Sequence, residues 1–298
     1  MAAIRKMFYR SWSSDVRLDG KTVLITGANT GIGKETARDL AKRGARIIMA
    51  CRDLEKAEIT AKEITAESGN ENIIVKKLDL ADTKSVHAFA EQINNEERQI
   101  NILINNAGIM MCPYSKTADG FEMQFGVNHL GHVLLTHLLL DLIKRSTPAR
   151  IVNVSSKAHT MGTIQFDDLN SEKNYSPLKA YAQSKLANIL FTKELAKRLE
   201  GSGVTVYALH PGVVRTELSR HLSSTLQIGM KLLQPFTKSP VEGAQTTIYC
   251  SVAPELEKET GLYYSDCAAT SCSRAASDED VAKRLWGVSC QLLGINWN

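Results

Sequence analysis

Thr22-Val23-Leu24-Ile25-Thr26-Gly27-Ala28-Asn29-Thr30-Gly31-Ile32-Gly33 decides how this chain folds. Its first five residues are apolar or β-branched and read as a buried strand. A turn punctuated by glycines follows, and a helical pattern occupies 31–43. Glycine permits positive φ and a close approach of backbone to ligand. The free amides at a helix start bind phosphate, helped by the helix dipole. A glycine triplet alone is weak evidence, since any tight strand-to-helix turn can use one. Here the strand before and the helix after complete the pattern. Gly27, Asn29, Thr30, Gly31, Ile32 and Gly33 are therefore expected to cradle a pyrophosphate.

The alternation continues outward. Residues 46–50, 72–78, 100–104, 150–154, 204–209 and 261–264 read as further strands. Leu54, Ala57, Ala61 and Ile64 form one helical face, and Val86, Phe89, Ala90 and Ile93 another. The stretch 120–144 contains a long helix. Near-continuous apolar strands alternating with helices predict an α/β fold. Right-handed crossovers make it a doubly wound, Rossmann-type parallel sheet with helices on both faces. Ligands in such folds sit at the carboxyl ends of the strands. The expected organisation is a basic segment over 1–18 and one catalytic domain over 19–298, with a flap at about 216–240.

Composition sets the outer bounds. The chain has 298 residues, 43% of them hydrophobic, enough for one large core. Net charge is 36 − 32 = +4 with acidic residues throughout, so no nucleic-acid footprint stands out. Cys51, Cys112, Cys250, Cys267, Cys272 and Cys290 form no CxxC pair and no zinc spacing. They read as reduced thiols and small apolar fillers. No metal is expected. No apolar run reaches the roughly 18 residues that a membrane span needs. The N-terminus carries Arg5, Lys6 and Arg10 beside Met7, Phe8 and Trp12, without the apolar stretch of a secretory signal. A frayed terminus is the plain reading, a mitochondrial presequence or surface anchor the alternative.

The end of the second strand chooses between dinucleotides. A carboxylate there bonds a ribose 2′-hydroxyl, and an arginine meets a 2′-phosphate. The order is Ala50-Cys51-Arg52-Asp53. Arg52 suits phosphate, Asp53 suits a helix cap, and Lys34 adds charge nearby. NADP(H) is expected over NAD(H), with a merely solvated Arg52 as the alternative. Asp79 and Leu80 end the third strand, where Asp79 either accepts from an adenine amino group or caps a turn. Asn106, Ala107 and Gly108 end the fourth, where small residues let the chain pass beneath an adenosine ribose or simply turn.

Tyr181-Ala182-Gln183-Ser184-Lys185 places a phenol and an ammonium one helical turn apart. A free tyrosine titrates near ~10, and lowering it by about three units takes roughly 4 kcal/mol of phenolate stabilisation. Lys185 is expected to supply part of this and to bind a nicotinamide ribose. A lone YxxxK match is weak. Upstream, however, a strand ends at Ser155-Ser156, where Ser156 would orient a substrate oxygen and Ser155 would pack or cap. Asn128 lies in an apolar helix and must be satisfied there. It reads as support for a water chain to Lys185 or as a satisfied core residue. His129, His132 and His137 on that helix, and Tyr175, read as packing or surface residues.

Together TGANTGIG, NNAG, the Asn128 helix, NVSS, YAQSK and His210-Pro211-Gly212-Val213-Val214-Arg215-Thr216 resemble the short-chain dehydrogenase/reductase family, over roughly 21–264. The resemblance implies Asn128, Ser156, Tyr181 and Lys185 as a catalytic tetrad. It implies Gly27, Gly31 and Gly33 for phosphates, and Asp79 and Asn106 for the adenosine side. Pro211, Gly212, Val214 and Thr216 would hold the nicotinamide carboxamide. ACRD, GVNHLGH, SKLANILFTKELAKRL and HPGVVRTEL are similar to the retinol dehydrogenase group in particular. That similarity implies NADP(H)-dependent interconversion of retinal and retinol or other hydrophobic aldehydes and alcohols. Members of that group usually begin with an apolar membrane anchor, and this chain begins about where such an anchor ends. The expected location is intracellular, cytosolic or peripheral on the cytoplasmic face of the endoplasmic reticulum, with mitochondria ranked below. Peripheral membrane contact and a homo-oligomer stay open.

The substrate side reads as apolar. Met161, Ile164 and Phe166 are expected at the rim, Met110-Met111-Cys112 in the pocket or as core filling, and Leu218 to Phe236 as a hydrophobic flap or a packed helix pair. Val281, Leu285, Val288 and Leu292 predict an amphipathic C-terminal helix that docks on the core, with membrane binding as the alternative. A steroid or small-carbonyl reductase is the alternative within enzymes, and a non-catalytic NADP(H)-binding regulator the alternative of another class.

Overall fold

Eight strands form one sheet in a computed structural model that describes residues 12–218 and 237–297. They are β1 (Thr22–Thr26), β2 (Arg46–Cys51), β3 (Ile73–Lys77), β4 (Ile102–Asn105), β5 (Ala149–Val154), β6 (Val204–His210), β7 (Tyr263–Ser265) and β8 (Ala268–Ala269). The spatial order is β3-β2-β1-β4-β5-β6-β7-β8. Every pairing is parallel except β7 with β8. Order reverses between β1 and β4, so a crevice opens at their carboxyl ends.

The apolar strands are continuous because helices cover both faces. On one face lie α1 (Gly31–Lys42), α2 (Leu54–Ser68) and α6 (Pro240–Val252), whose Leu40, Ile64 and Ile248 pack with Ile25, Ile47 and Met49 of the sheet. On the other lie α3 (Thr83–Glu96), α4 (Gly131–Arg145) and α5 (Pro177–Arg198), whose Phe89, Leu135 and Leu195 pack with Leu24, Ile48 and Leu103. The predicted doubly wound fold is the one observed.

Several features differ from expectation, among them an eighth strand, antiparallel, and a π-helical turn at Gly126–Leu130. The helix α6 was not anticipated; a capping box at Ser239 and Glu242 starts it. The C-terminal helix α7 (Glu279–Leu293) does dock on the core, but through Ala282, Leu285, Trp286 and Ser289. Leu292 of the expected stripe is 39% exposed. The stripe turns because Trp286 stacks on Phe191 of α5, ring centroids 5.6 Å apart. All six cysteines are free thiols, four of them buried. Among the described residues no helix is long and apolar enough to cross a membrane. Most of the basic N-terminal segment (1–11) and of the expected flap (219–236) lies outside the described residues.

Candidate active site

The turn after β1 is shaped as a phosphate cradle. Gly27 adopts φ +66°, and a Cβ on it would touch Ala107 at 3.0 Å. A Cβ on Gly33 would lie 2.3 Å from the Gly27 carbonyl oxygen and 2.6 Å from Asn106 Nδ2, so no side chain fits. Thr30 caps α1 from an extended backbone but makes no side-chain cap bond, which leaves the first-turn amides to a ligand. Asn29 turns its carbonyl to Thr60 Oγ1 at 3.1 Å. Ile32 packs on the core below. These residues fit a pyrophosphate: free amides at a helix start, and no Cβ in the way.

The adenosine side is built from three strand ends. Arg52 is exposed beyond β2, and Lys77 Nζ donates to its carbonyl at 2.7 Å, so two cations flank this edge. Asp53 caps α2 by accepting from Lys56 N at 3.0 Å. Lys34 does not add free charge to the cradle, because it pairs with Glu63. Asp79 accepts from Ala81 N at 3.0 Å, the turn-capping alternative, and the neighbouring Leu80 is buried. Asn106 Nδ2 donates to the Thr26 and Gly27 carbonyls at 2.9 and 3.2 Å and ties β4 to the cradle. The Ala107 amide donates to Thr26 Oγ1 at 2.9 Å.

Gly108 joins cradle and tetrad. A Cβ there would meet Asn128 Oδ1 at 3.3 Å and Lys185 Nζ at 3.5 Å. Asn128 sits, wholly buried, in a π-helical turn (Gly126–Leu130) leading into α4. It does not bond a helix carbonyl through its side chain. Instead its amide exchanges two 2.9 Å bonds with the Ile109 backbone and gives another to Ser184 Oγ.

Tyr181 and Lys185 project together from α5, both buried, with Nζ 5.7 Å from the phenol ring centroid. Ser156, just past β5, caps a 3-10 turn through Ala158 N at 3.2 Å and lies near enough to the phenol to favour its charged form. Ser155 points the other way and donates to the Lys185 carbonyl at 2.6 Å, a packing role.

The expected depression of the phenol by Lys185 is not what the protein itself produces. Burial pushes Tyr181 up to about 12, and Ser156 offsets only part of it. Lys185 is pushed down to about 8, again by burial, and its ammonium faces the Val154 carbonyl at 3.2 Å. Sequence spacing locates the neighbour but not the loss of solvent around both groups.

The loop after β6 closes the crevice. Gly212 N donates to His210 Nδ1 at 3.0 Å. Thr216 lies against the cradle, since a Cβ on Gly31 would meet its Cγ2 at 3.0 Å. Val214 packs where a Cβ on Gly243 of α6 would fall, and it bridges to Lys238, which pairs with Asp266. Pro211 is buried between these.

On the substrate side, Met161 is exposed at 59%, whereas Ile164 and Phe166 join a core cluster with Leu186 and Leu285 instead of lining a rim. Met111 holds φ +56°, with its amide bonded to Gln124 Oε1 at 2.8 Å. Cys112 is buried, its carbonyl accepting from Tyr175 at 2.8 Å. His129 packs between Phe125 and Phe191, and His137 lies against Trp297. His132 is more than packing: both ring nitrogens have polar partners, Asn128 O and Thr26 Oγ1. His159 likewise bonds the Ser156 carbonyl at 2.7 Å. Their positions, four residues past Asn128 and three past Ser156, are the sequence signal that was passed over.

Known proteins resemble this chain over most of its length. The short chain dehydrogenase family matches residues 21–227. Retinol dehydrogenase 12 of Homo sapiens is 60% identical over 296 residues, spanning 99% of this chain and 93% of that one. An uncharacterised protein from Mycobacterium paratuberculosis has a crystal structure similar at TM-score 0.78 and 38% identity, covering 95% of this chain and 97% of that one. The Pseudomonas aeruginosa RhlG/NADP active-site complex is similar at TM-score 0.67 and 26% identity, covering 83% and 94%.

Proposed function

The chain belongs to the short-chain dehydrogenase family, and from that premise we propose that it is an NADP(H)-dependent oxidoreductase interconverting retinal and retinol, or related hydrophobic aldehydes and alcohols. One observation carries the reading: Asn128, Ser156, Tyr181 and Lys185 converge beside a cradle that admits no side chain at Gly33. The near full-length similarity to a retinol dehydrogenase supports the substrate class. Arg52 and Lys77 at the adenosine edge, with Asp53 committed to a cap, support the phosphorylated dinucleotide. A peripheral place on the cytoplasmic face of the endoplasmic reticulum goes with a substrate that partitions into lipid.

Asn29 to Gly33 would hold the pyrophosphate, Arg52 the 2′-phosphate, Asp79, Leu80, Asn106, Ala107 and Gly108 the adenosine side. Pro211 to Thr216 would hold the carboxamide. When bound, NADPH supplies the hydride. Tyr181 gives the proton to the carbonyl oxygen in reduction and takes it back in oxidation. Ser156, beside the phenol, would hold that oxygen next to it. Lys185 tunes the phenol and binds the ribose, and Asn128 fixes the loop that passes both. NADPH consumption by purified protein against retinals, medium-chain aldehydes, ketosteroids and small polar ketones tests this. Retinals and long aldehydes should lead. Preference for small polar ketones removes the retinoid reading, and NADPH binding without oxidation removes the enzyme.

A further inference from the structure

His132 is 3% exposed, and neither the tetrad nor the cradle has assigned it work. Its surroundings fix its tautomer. Thr26 Oγ1 accepts from the Asn106 and Ala107 amides at 3.0 and 2.9 Å, which uses both lone pairs. Its single proton then goes to His132 Nε2 at 2.9 Å, in preference to the Ile104 carbonyl at 3.4 Å. Nε2 is thus an acceptor, and Nδ1 carries the proton and donates to the Asn128 carbonyl at 3.1 Å. That carbonyl has no proton to give, so the second bond demands the same tautomer.

The chain of bonds does not stop there. Asn128 Nδ2 donates to Ser184 Oγ at 2.9 Å, and Ser184 Oγ donates to the Tyr181 carbonyl at 2.8 Å. One buried series therefore runs from the amides under the cradle, through Thr26, His132, Asn128 and Ser184, to the backbone of the proton-transfer residue. Asn128 sits in a π-helical turn, a local departure from α geometry that needs outside bonds to hold it. His132 supplies the one that reaches across the sheet to β1.

We propose that His132 is a positioning residue of the active centre, holding the Asn128 turn in register with the floor of the cradle through Thr26. It acts through Asn128 and touches neither substrate nor cofactor. The kinetic arm of the test rests on the oxidoreductase reading; the spectroscopic arm does not. In protein labelled with 15N-histidine, the His132 signals should show Nδ1 protonated and Nε2 bare, and Thr26→Val should move the Nε2 signal. An Nε2–H tautomer, or no response to Thr26→Val, overturns the proposal whether or not an aldehyde is turned over.

Kinetically, His132→Phe and Thr26→Val should each lower kcat about tenfold while aldehyde KM stays within about threefold. Both break the Thr26–His132 link, and Thr26→Val also strips the Asn106 and Ala107 amides of their acceptor, so the double variant should fall no further than Thr26→Val alone. His132→Asn keeps a donor near the Nδ1 position and should recover part of the loss. Multiplying effects, or His132→Asn no better than His132→Phe, refute the link. If His132→Phe fails to fold, Thr26→Val and His132→Asn carry the test. Absence of turnover in the native protein would defeat the proposed function and leave the tautomer measurement to decide this one.

Discussion

Lys185→Met should stabilise the fold while removing activity, and the gain should depend on pH. Lys185 is buried, and burial lowers it from its ordinary 10.5 to about 8. The interval corresponds to roughly 3 kcal/mol held against folding when the group is charged. The sign follows from proton counting. Between pH about 8 and 10.5 the unfolded chain keeps this proton and the folded chain does not, so native stability rises with pH. Below about 8 both states are protonated and the folded state carries the whole penalty. Methionine has similar length and helix propensity and carries no charge. The Val154 carbonyl is not orphaned by the change, because Asn188 Nδ2 also donates to it at 3.2 Å. At pH 7 the variant should therefore be more stable by roughly 2–3 kcal/mol, a rise in Tm of roughly 5 °C at this size. Urea unfolding of both proteins from pH 7 to 10.5 measures the gap, and other titrating groups cancel in the difference. The gap should close as pH approaches 10.5, while turnover at pH 7 falls at least about a hundredfold. A variant less stable than the parent at pH 7, or a gap that stays flat over this range, would refute the reasoning.

Other expectations are direct. Tyr181→Phe should lower turnover about a thousandfold while NADPH still binds; retained turnover removes the phenol from the chemistry. Gly33→Ala forces a Cβ to 2.3 Å from the Gly27 oxygen, so NADPH affinity should fall at least about tenfold and stability by about 1–3 kcal/mol, read by titration and Tm. Unchanged NADPH affinity would mean that the turn holds no phosphate. Arg52→Gln should weaken NADPH about tenfold and leave NADH alone; equal losses for both would assign Arg52 to solvent.

The sheet was legible because a doubly covered parallel strand is apolar along its whole length, and Val23-Leu24-Ile25 or Ile102-Leu103-Ile104 admit little else. The tetrad was an implication of the family resemblance, and what the structure adds is that Asn128, Ser156, Tyr181 and Lys185 lie near one another. What the sequence hid depends on contacts between distant segments. Nothing in Gly126-Val127-Asn128-His129-Leu130 separates a π turn from an α turn, since the Ile109 backbone and Ser184 draw Asn128 out of register. The buried face of α7 holds Ala282 and Ser289 as well as Leu285, so an apolar stripe points one residue away from it. The helix α6 is rich in Thr, Ser, Gly and Cys and lacks a strong apolar period, although Ser239-Pro240-Val241-Glu242 carries its start signal.

The same dryness explains both shifts, the phenol of Tyr181 upward and the ammonium of Lys185 downward. Burial keeps the Tyr181 phenol protonated at neutral pH, the form that the proposed mechanism uses as proton donor in reduction. Oxidation needs added positive charge. At an effective dielectric near 20, one charge about 5 Å away is worth roughly 3 kcal/mol, or about two pH units on the phenol. On the proposed function, a protonated Lys185 and a bound cationic nicotinamide ring at such a distance would together be of the right size to bring Tyr181 into working range. Neither alone would be. On that reading the buried ammonium, costly to the fold, would have its use when the cradle is filled. A site organised in this way has reason to tie the cradle floor to the tyrosine helix through the buried series that passes Thr26, His132 and Asn128.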